Sequence, residues 1–237
     1  MHRIGLLAGI LGLCTALPAL GEEPHPSGGA VSVKSGERVQ DVSTVNGSIH
    51  VAENAAVRSA QTVNGAIELE PSATAKSLQS VNGGISVGEN ARVSSNVSTV
   101  NGGVALGKAA RVAGSISAVN GTVVLDRDTE VAGRVASVNG RIHLAAAHVG
   151  GGLRTETGDI VIEADSRVEG GILVKGASVA ASEGRRPLPK VVIGPGAVVE
   201  GPMRFEREVK LYVSETARIG PVEGATVMMF AGAQPPG

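Results

Sequence analysis

The sequence predicts an all-β fold, a single-stranded β-solenoid of about ten rungs, each 18–19 residues long. Three observations predict it. The triplet Val-Asn-Gly recurs at Val45-Asn46-Gly47, Val63-Asn64-Gly65, Val81-Asn82-Gly83, Val100-Asn101-Gly102, Val119-Asn120-Gly121 and Val138-Asn139-Gly140, in steps of 18, 18, 19, 19 and 19 residues. A degenerate copy, Glu156-Thr157-Gly158, follows 18 residues later. Aligned on the triplet, apolar residues fall into columns separated by single variable positions, the two-residue period of a strand with one buried face. Finally, glycine recurs every turn and Val, Ile and Thr dominate the columns, a composition poor for helices.

Residues 1–21 read as a secretory signal. His2 and Arg3 supply a positive start, residues 4–13 an apolar stretch, and Ala19-Leu20-Gly21 a small-x-small cleavage site. Pro18 interrupts the apolar stretch, which is too short for a membrane span, so no transmembrane segment is expected in the mature chain. Leu13 before Cys14 disfavours lipidation, and cleavage after Gly21 removes the only cysteine. The mature chain is therefore expected to be exported to the bacterial periplasm or cell surface and to be free of disulfides.

A short linker, 22–26, leads into regular rungs at 27–174, opening with Gly28-Gly29-Ala30-Val31-Ser32-Val33. The triplet valine is taken as the first buried column. Four residues on come Ile49, Ile67, Ile85, Val104, Val123, Ile142 and Ile160, and two further Val51, Leu69, Val87, Leu106, Leu125, Leu144 and Ile162. Positions between these two columns, such as His50, Glu68, Ser86 and His143, follow no polarity rule and are expected to face outward. A fourth column runs Val57, Ala75, Val93, Val112, Val131, Val149 and Val168, and a fifth Ala60, Leu78, Val97, Ile116, Val135, Leu153 and Ile172. Three short strands per turn follow, and the extra residue of the 19-residue copies falls between the fourth and fifth columns, at a corner. Such a chain buries its columns only by stacking turn on turn, and at ~4.8 Å per strand the rod would be roughly 45–50 Å long.

Asn and Gly tolerate positive φ, so the pair is expected to turn the chain at each rung. Stacked, Asn46, Asn64, Asn82, Asn101, Asn120 and Asn139 would form a structural turn ladder of side-chain amides. Three glycosylation sequons begin at Asn46, Asn96 and Asn120, and two of them arise automatically from this turn motif.

Residues 175–190 read as a loop insertion carrying Arg185-Arg186-Pro187. Loops on rigid scaffolds often carry binding, which makes Arg185 and Arg186 candidates for contact with an anionic partner. Terminal rungs resume over 191–224, and a C-terminal cap or tail, 225–237, holds Met228, Met229 and Phe230. A solenoid end exposes open core columns and an unpaired edge, so these three either plug it or dock onto a partner.

Composition narrows the function. The net charge is -1 and aromatics are 1%, so neither a basic field nor stacking platforms are available for nucleic acid or sugars. His50 and His143 stand five rungs apart, about 24 Å, too far to share a site. His25 and His148 have no partner at metal-ligand spacing. Asp126 and Asp128 lie two rungs, about 10 Å, from Glu163 and Asp165, and read as a solvated acidic corner rather than a calcium or hydrolase site. No catalytic, cofactor-binding or metal residues are expected. The period of six along Val45, Val51, Val57, Val63 and Leu69 also fits hexapeptide acyltransferases, so that enzyme, or a polysaccharide-active one, ranks third.

The run Val192-Ile193-Gly194-Pro195-Gly196-Ala197-Val198-Val199-Glu200-Gly201 resembles bactofilins, the polymer-forming cytoskeletal family of bacteria. The Val-Asn-Gly-x-Ile copies resemble the bacterial β-strand repeat family of adhesin-like proteins. The bactofilin resemblance implies a right-handed triangular β-helix and end-to-end polymers, although an export leader is not part of that family's pattern. Neither resemblance implies a catalytic residue. The expected function is an exported, non-catalytic scaffold forming a homo-oligomer or polymer at the cell envelope, with an adhesin-like surface module as the alternative.

Processing is directly checkable: N-terminal sequencing of protein from the native host should begin at Glu22, and a start at Met1 or His2 would refute the export reading.

Overall fold

A computed structural model describes residues 29–176 and 188–235. The expected leader and linker and most of the expected insertion, including His25, Arg185 and Arg186, lie outside the described residues. Among the described residues there is no helix, and every strand pairs in parallel with its counterpart one turn on. The fold is a β-solenoid.

One face is an eleven-stranded sheet in strict chain order. Its strands are Val31–Val33, Ile49–Val51, Ile67–Leu69, Ile85–Val87, Val104–Leu106, Val123–Leu125, Ile142–Leu144, Ile160–Ile162, Lys190–Ile193, Lys210–Ser214 and Val227–Phe230. In each of the first eight, both flanking apolar residues are buried and the middle residue faces out. Register is rigid: Ile49 pairs with Ile67, His50 with Glu68 and Val51 with Leu69, and the same triplet pairing repeats to the insertion.

The remaining strands form a second sheet. In the 18-residue turns it contains long strands, Arg38–Asn46, Ala56–Asn64 and Thr74–Asn82, so those turns carry two strands rather than the expected three. From Arg92 the same path splits into pairs such as Arg92–Val93 with Val97–Thr99 and Arg111–Val112 with Ile116–Ala118. The cause is the inserted residue. Val57 and Ala60, both buried, stand three positions apart, whereas Val93 and Val97 stand four apart, and the extra residue lies between the two strand pieces.

Four expected columns are buried, but the triplet valine is not a fifth. Val45 is 52% exposed and Val63 40%. The residue before the valine points inward instead: Thr44, Thr62, Ser80, Thr99, Ala118, Ser137 and Thr155 are all buried. Strand parity explains the exchange. With Ala60 inside, Gln61 must face out and Thr62 in, which leaves Val63 outside whatever its hydrophobicity. Burial of the hydroxyls is tolerated because they find acceptors, described below.

The insertion leaves the stack without shifting it. Ile172–Val174 stays paired with Leu153–Thr155 before it and Met203–Phe205 after it. Ile160 then pairs with Val191 and Ile162 with Ile193, so the excursion is absorbed between rungs. Lys190 anchors the re-entry, its backbone N–H donating to Asp159 Oδ1 at 2.9 Å and its Nζ lying 4.9 Å from the Tyr212 ring centre.

This inside-outside pattern is testable. Val112 is buried between Val93 and Val131, so Val112→Asp should cost about 3–5 kcal/mol, whereas Val63→Thr on the outer face should cost under about 0.5. Thermal melts of the two variants with equal midpoints would contradict the assignment.

Candidate functional site

The most regular polar feature is the triplet corner, and three consecutive roles build it. The buried hydroxyl comes first. Thr62 Oγ1 donates to the Gly47 carbonyl at 2.9 Å, Ser80 to Gly65 at 3.1 Å, Thr99 to Gly83 at 2.9 Å and Ser137 to Gly121 at 3.0 Å. Each of these bonds ties the end of a turn to the glycine at its start. Among the described residues no buried side-chain polar atom lacks a partner.

The asparagine follows. Asn64 Nδ2 donates to Asn46 Oδ1 at 2.8 Å, and the chain continues through Asn82, Asn101, Asn120 and Asn139 at 2.7–2.9 Å. Thr157 extends it with its hydroxyl, 2.9 Å from Asn139 Oδ1, so the degenerate copy keeps the bond while changing the residue. The ladder is exposed, and each interior amide both gives and takes one bond along the rod.

The glycine comes last, and its role differs from the expected one. No triplet asparagine or glycine has a positive φ. A Cβ on Gly47 would stand 1.9 Å from the Gly29 carbonyl oxygen, and on Gly83 1.9 Å from that of Gly65. Stacked backbones leave no room for a side chain, so close approach selects glycine here. Left-handed residues occupy the corner after the eleven-stranded sheet: Gly36, Asn54, Ser72, Asn90, Ala109, Asp128, Ala146, Asp165 and Gly196. Asp128 and Asp165, part of the expected acidic corner, are therefore residues that tolerate this conformation at a tight turn.

The histidines have acidic neighbours that sequence spacing concealed. His143 Nε2 lies 2.7 Å from Glu163 Oε1, and His148 Nε2 lies 2.9 Å from Glu169 Oε1, although no acid was expected beside His148. His50 Nδ1 lies 3.5 Å from Glu68 Oε2 and 3.9 Å from Glu70 Oε1. Among the described residues, three potential metal-ligand atoms converge only here. The pairing that brings them together was readable: Glu68 follows His50 by one 18-residue turn, and Glu70 shares its outward side of the strand. Comparing one histidine with another hid it.

Along the second sheet runs a groove of about 370 Å³ lined by Val100, Val119, Val138, Ser117, Arg134 and Arg154. It follows the split strands of the 19-residue turns. The third surface is the C-terminal end, where the expected cap segment contains the last strand, Val227–Phe230. Met228 pairs with Tyr212, Met229 with Val213 and Phe230 with Ser214. Phe230 is buried, but Met228 is 38% exposed and Met229 57%.

No family model, curated protein or solved structure matches the chain.

Removing one rung of the ladder measures it. Asn82→Ala deletes two amide bonds, and Asn46→Ala at its end deletes one. At about 0.5–1.5 kcal/mol per bond, the interior variant should lose about twice the stability of the terminal one in chemical denaturation. Equal, negligible losses would show that the ladder contributes nothing beyond solvation.

Proposed function

We propose that the chain is an exported, non-catalytic structural rod that assembles with copies of itself through its C-terminal end. The observation that carries this reading is Met229. It pairs with Val213 and so continues the buried column running from Val51 through Leu125 and Ile193, yet it is 57% exposed, with no further rung over it among the described residues. Beside it, one side of the Val227–Phe230 strand has no β-partner among the described residues. An open apolar column next to an unpaired strand edge is a surface that another chain covers well. The resemblance to polymer-forming bactofilins supports end-to-end contact, and the secretory leader supports a place in the cell envelope, at the periplasm or the surface.

A second reading, an adhesin-like binding module, is favoured by the groove along Val100, Val119 and Val138. Such a module uses its flank and needs no contact at its end.

Met228→Ser/Met229→Ser separates the two while leaving the buried Phe230 in place. Light scattering should find wild type as an oligomer or polymer and the double variant as a smaller species. A monomer in both cases would overturn end assembly and favour the flank. A larger particle in the variant would show that the methionines cap the rod.

A further inference from the structure

We infer that His50, Glu68 and Glu70 form a surface site for one first-row divalent transition cation, of which zinc is the type. This site is separate from the end that assembles the rod and stands whether or not assembly occurs.

The donor atoms are already close. His50 Nδ1 is 3.5 Å from Glu68 Oε2 and 3.9 Å from Glu70 Oε1, and all three lie within 4.8 Å of one another. Around a tetrahedral zinc with bonds of about 2.0–2.2 Å, neighbouring ligand atoms stand about 3.3 Å apart. Side-chain torsions alone can close the difference, because the backbone positions are held by the sheet.

That backbone is unusually constrained. His50 is the central residue of Ile49–Val51 and faces Glu68 directly across the parallel pair, while Ile49, Val51, Ile67 and Leu69 on either side are buried. Glu70 emerges two residues after Glu68, on the same side of the strand, with its backbone N–H bonded to the Val51 carbonyl at 2.9 Å. The neighbouring outward positions are small. Ala52 stands beside Glu70 on one rung, and Ser86 and Gly88 follow on the next.

Charge points the same way. Neither Glu68 nor Glu70 pairs with a lysine or arginine among the described residues, and their ion-pair partner there is the His50 imidazole. Two carboxylates close together repel each other, and a divalent cation relieves that repulsion. The mixed nitrogen and oxygen set selects the metal class: imidazole suits zinc, nickel and copper, whereas calcium and magnesium prefer oxygen donors throughout. Three protein ligands leave a fourth position open to water or to a group presented by another molecule. The other two histidine–glutamate contacts, His143 with Glu163 and His148 with Glu169, bring no third donor among the described residues and serve as internal controls.

The test is calorimetric titration of chelator-stripped full-length protein with zinc chloride, paralleled by cobalt(II) absorption to report coordination. Wild type should show a saturable site with a cobalt visible band. Changing a residue that merely orients a ligand costs about 10–100-fold in metal affinity, so His50→Ala and Glu68→Gln/Glu70→Gln should each weaken zinc binding by more than about tenfold and lose the cobalt band. All three residues are surface groups, and unchanged far-UV circular dichroism would confirm that the rod persists. His143→Ala should bind as wild type does. Zinc affinity in the glutamine double variant equal to wild type overturns the proposal, as does an absence of saturable binding in wild type. Equal weakening by His143→Ala also overturns it, since that would reduce the effect to any surface histidine.

Discussion

The rod depends on backbone resting on backbone at the glycine of each turn. A Cβ at Gly47, Gly65, Gly83, Gly102, Gly121, Gly140 or Gly158 would fall 1.8–2.1 Å from a carbonyl oxygen one turn earlier. No rearrangement of flexible side chains relieves such a clash, because the atom in the way is main chain. Glycine at this position therefore sets the spacing at which everything else stacks. Thr62 reaches the Gly47 carbonyl and Asn64 reaches Asn46 only because the corners stand one strand spacing apart. The Val-Asn-Gly repeat is thus a packing rule written once per turn, with the asparagine bonding along the rod and the glycine admitting the next layer.

Much of the fold was legible in the sequence because stacking imposes a period. Columns such as Ile49, Ile67, Ile85 and Val51, Leu69, Val87 occupy equivalent places in every turn, and their recurrence alone implies the solenoid. The triplet valine was misread because hydrophobicity was weighed without parity. Val63 directly follows the inward Thr62, and successive residues of a strand point to opposite faces. Thr62 shows the opposite case: a polar residue sits inside because the Gly47 carbonyl accepts its hydroxyl proton. Composition could not reveal that acceptor, since it depends on where the previous corner lies. The misplaced positive φ has a similar origin. Asn-Gly suggested a left-handed turn, while Ser72, Ala109 and Ala146, which carry no comparable signal, adopt one. Ala109 and Ala146 accept that conformation at a cost of order 1 kcal/mol because rungs on both sides dictate the path.

The candidate sites were less legible for a related reason. In a solenoid, neighbours in space are about one turn apart in sequence, and a diagonal contact adds two: Glu163 lies two residues beyond Val161, the partner of His143, and Glu169 two beyond Arg167, the partner of His148. His50 meets Glu68 at a separation of 18, His143 meets Glu163 at 20 and His148 meets Glu169 at 21. A search for fixed short spacings, suited to helices and zinc fingers, passes over all three. The end of the rod was easier to read, because Met228, Met229 and Phe230 break the composition of the repeat. What the sequence could not divide was their burial: Phe230 lies opposite Ser214 and turns in, whereas Met229 extends the Val213 column and is exposed among the described residues.

A repeat of this kind separates structure from function along a single axis. Positions that stacking dictates, the glycine, the inward hydroxyl and the apolar columns, vary little from turn to turn and carry little information about partners. Outward positions are free of that demand. In the first eight strands of the eleven-stranded sheet the central outward residues run Ser32, His50, Glu68, Ser86, Ala105, Val124, His143 and Val161, and in that run two charged or titratable residues fall side by side only at His50 and Glu68. Glu70 adds a third donor at the adjoining corner, where the neighbouring turns place Ala52 and Gly88. Since neither packing nor turn geometry requires any of these three side chains, the physical account of the rod leaves them unexplained, and the chemistry they share is metal ligation.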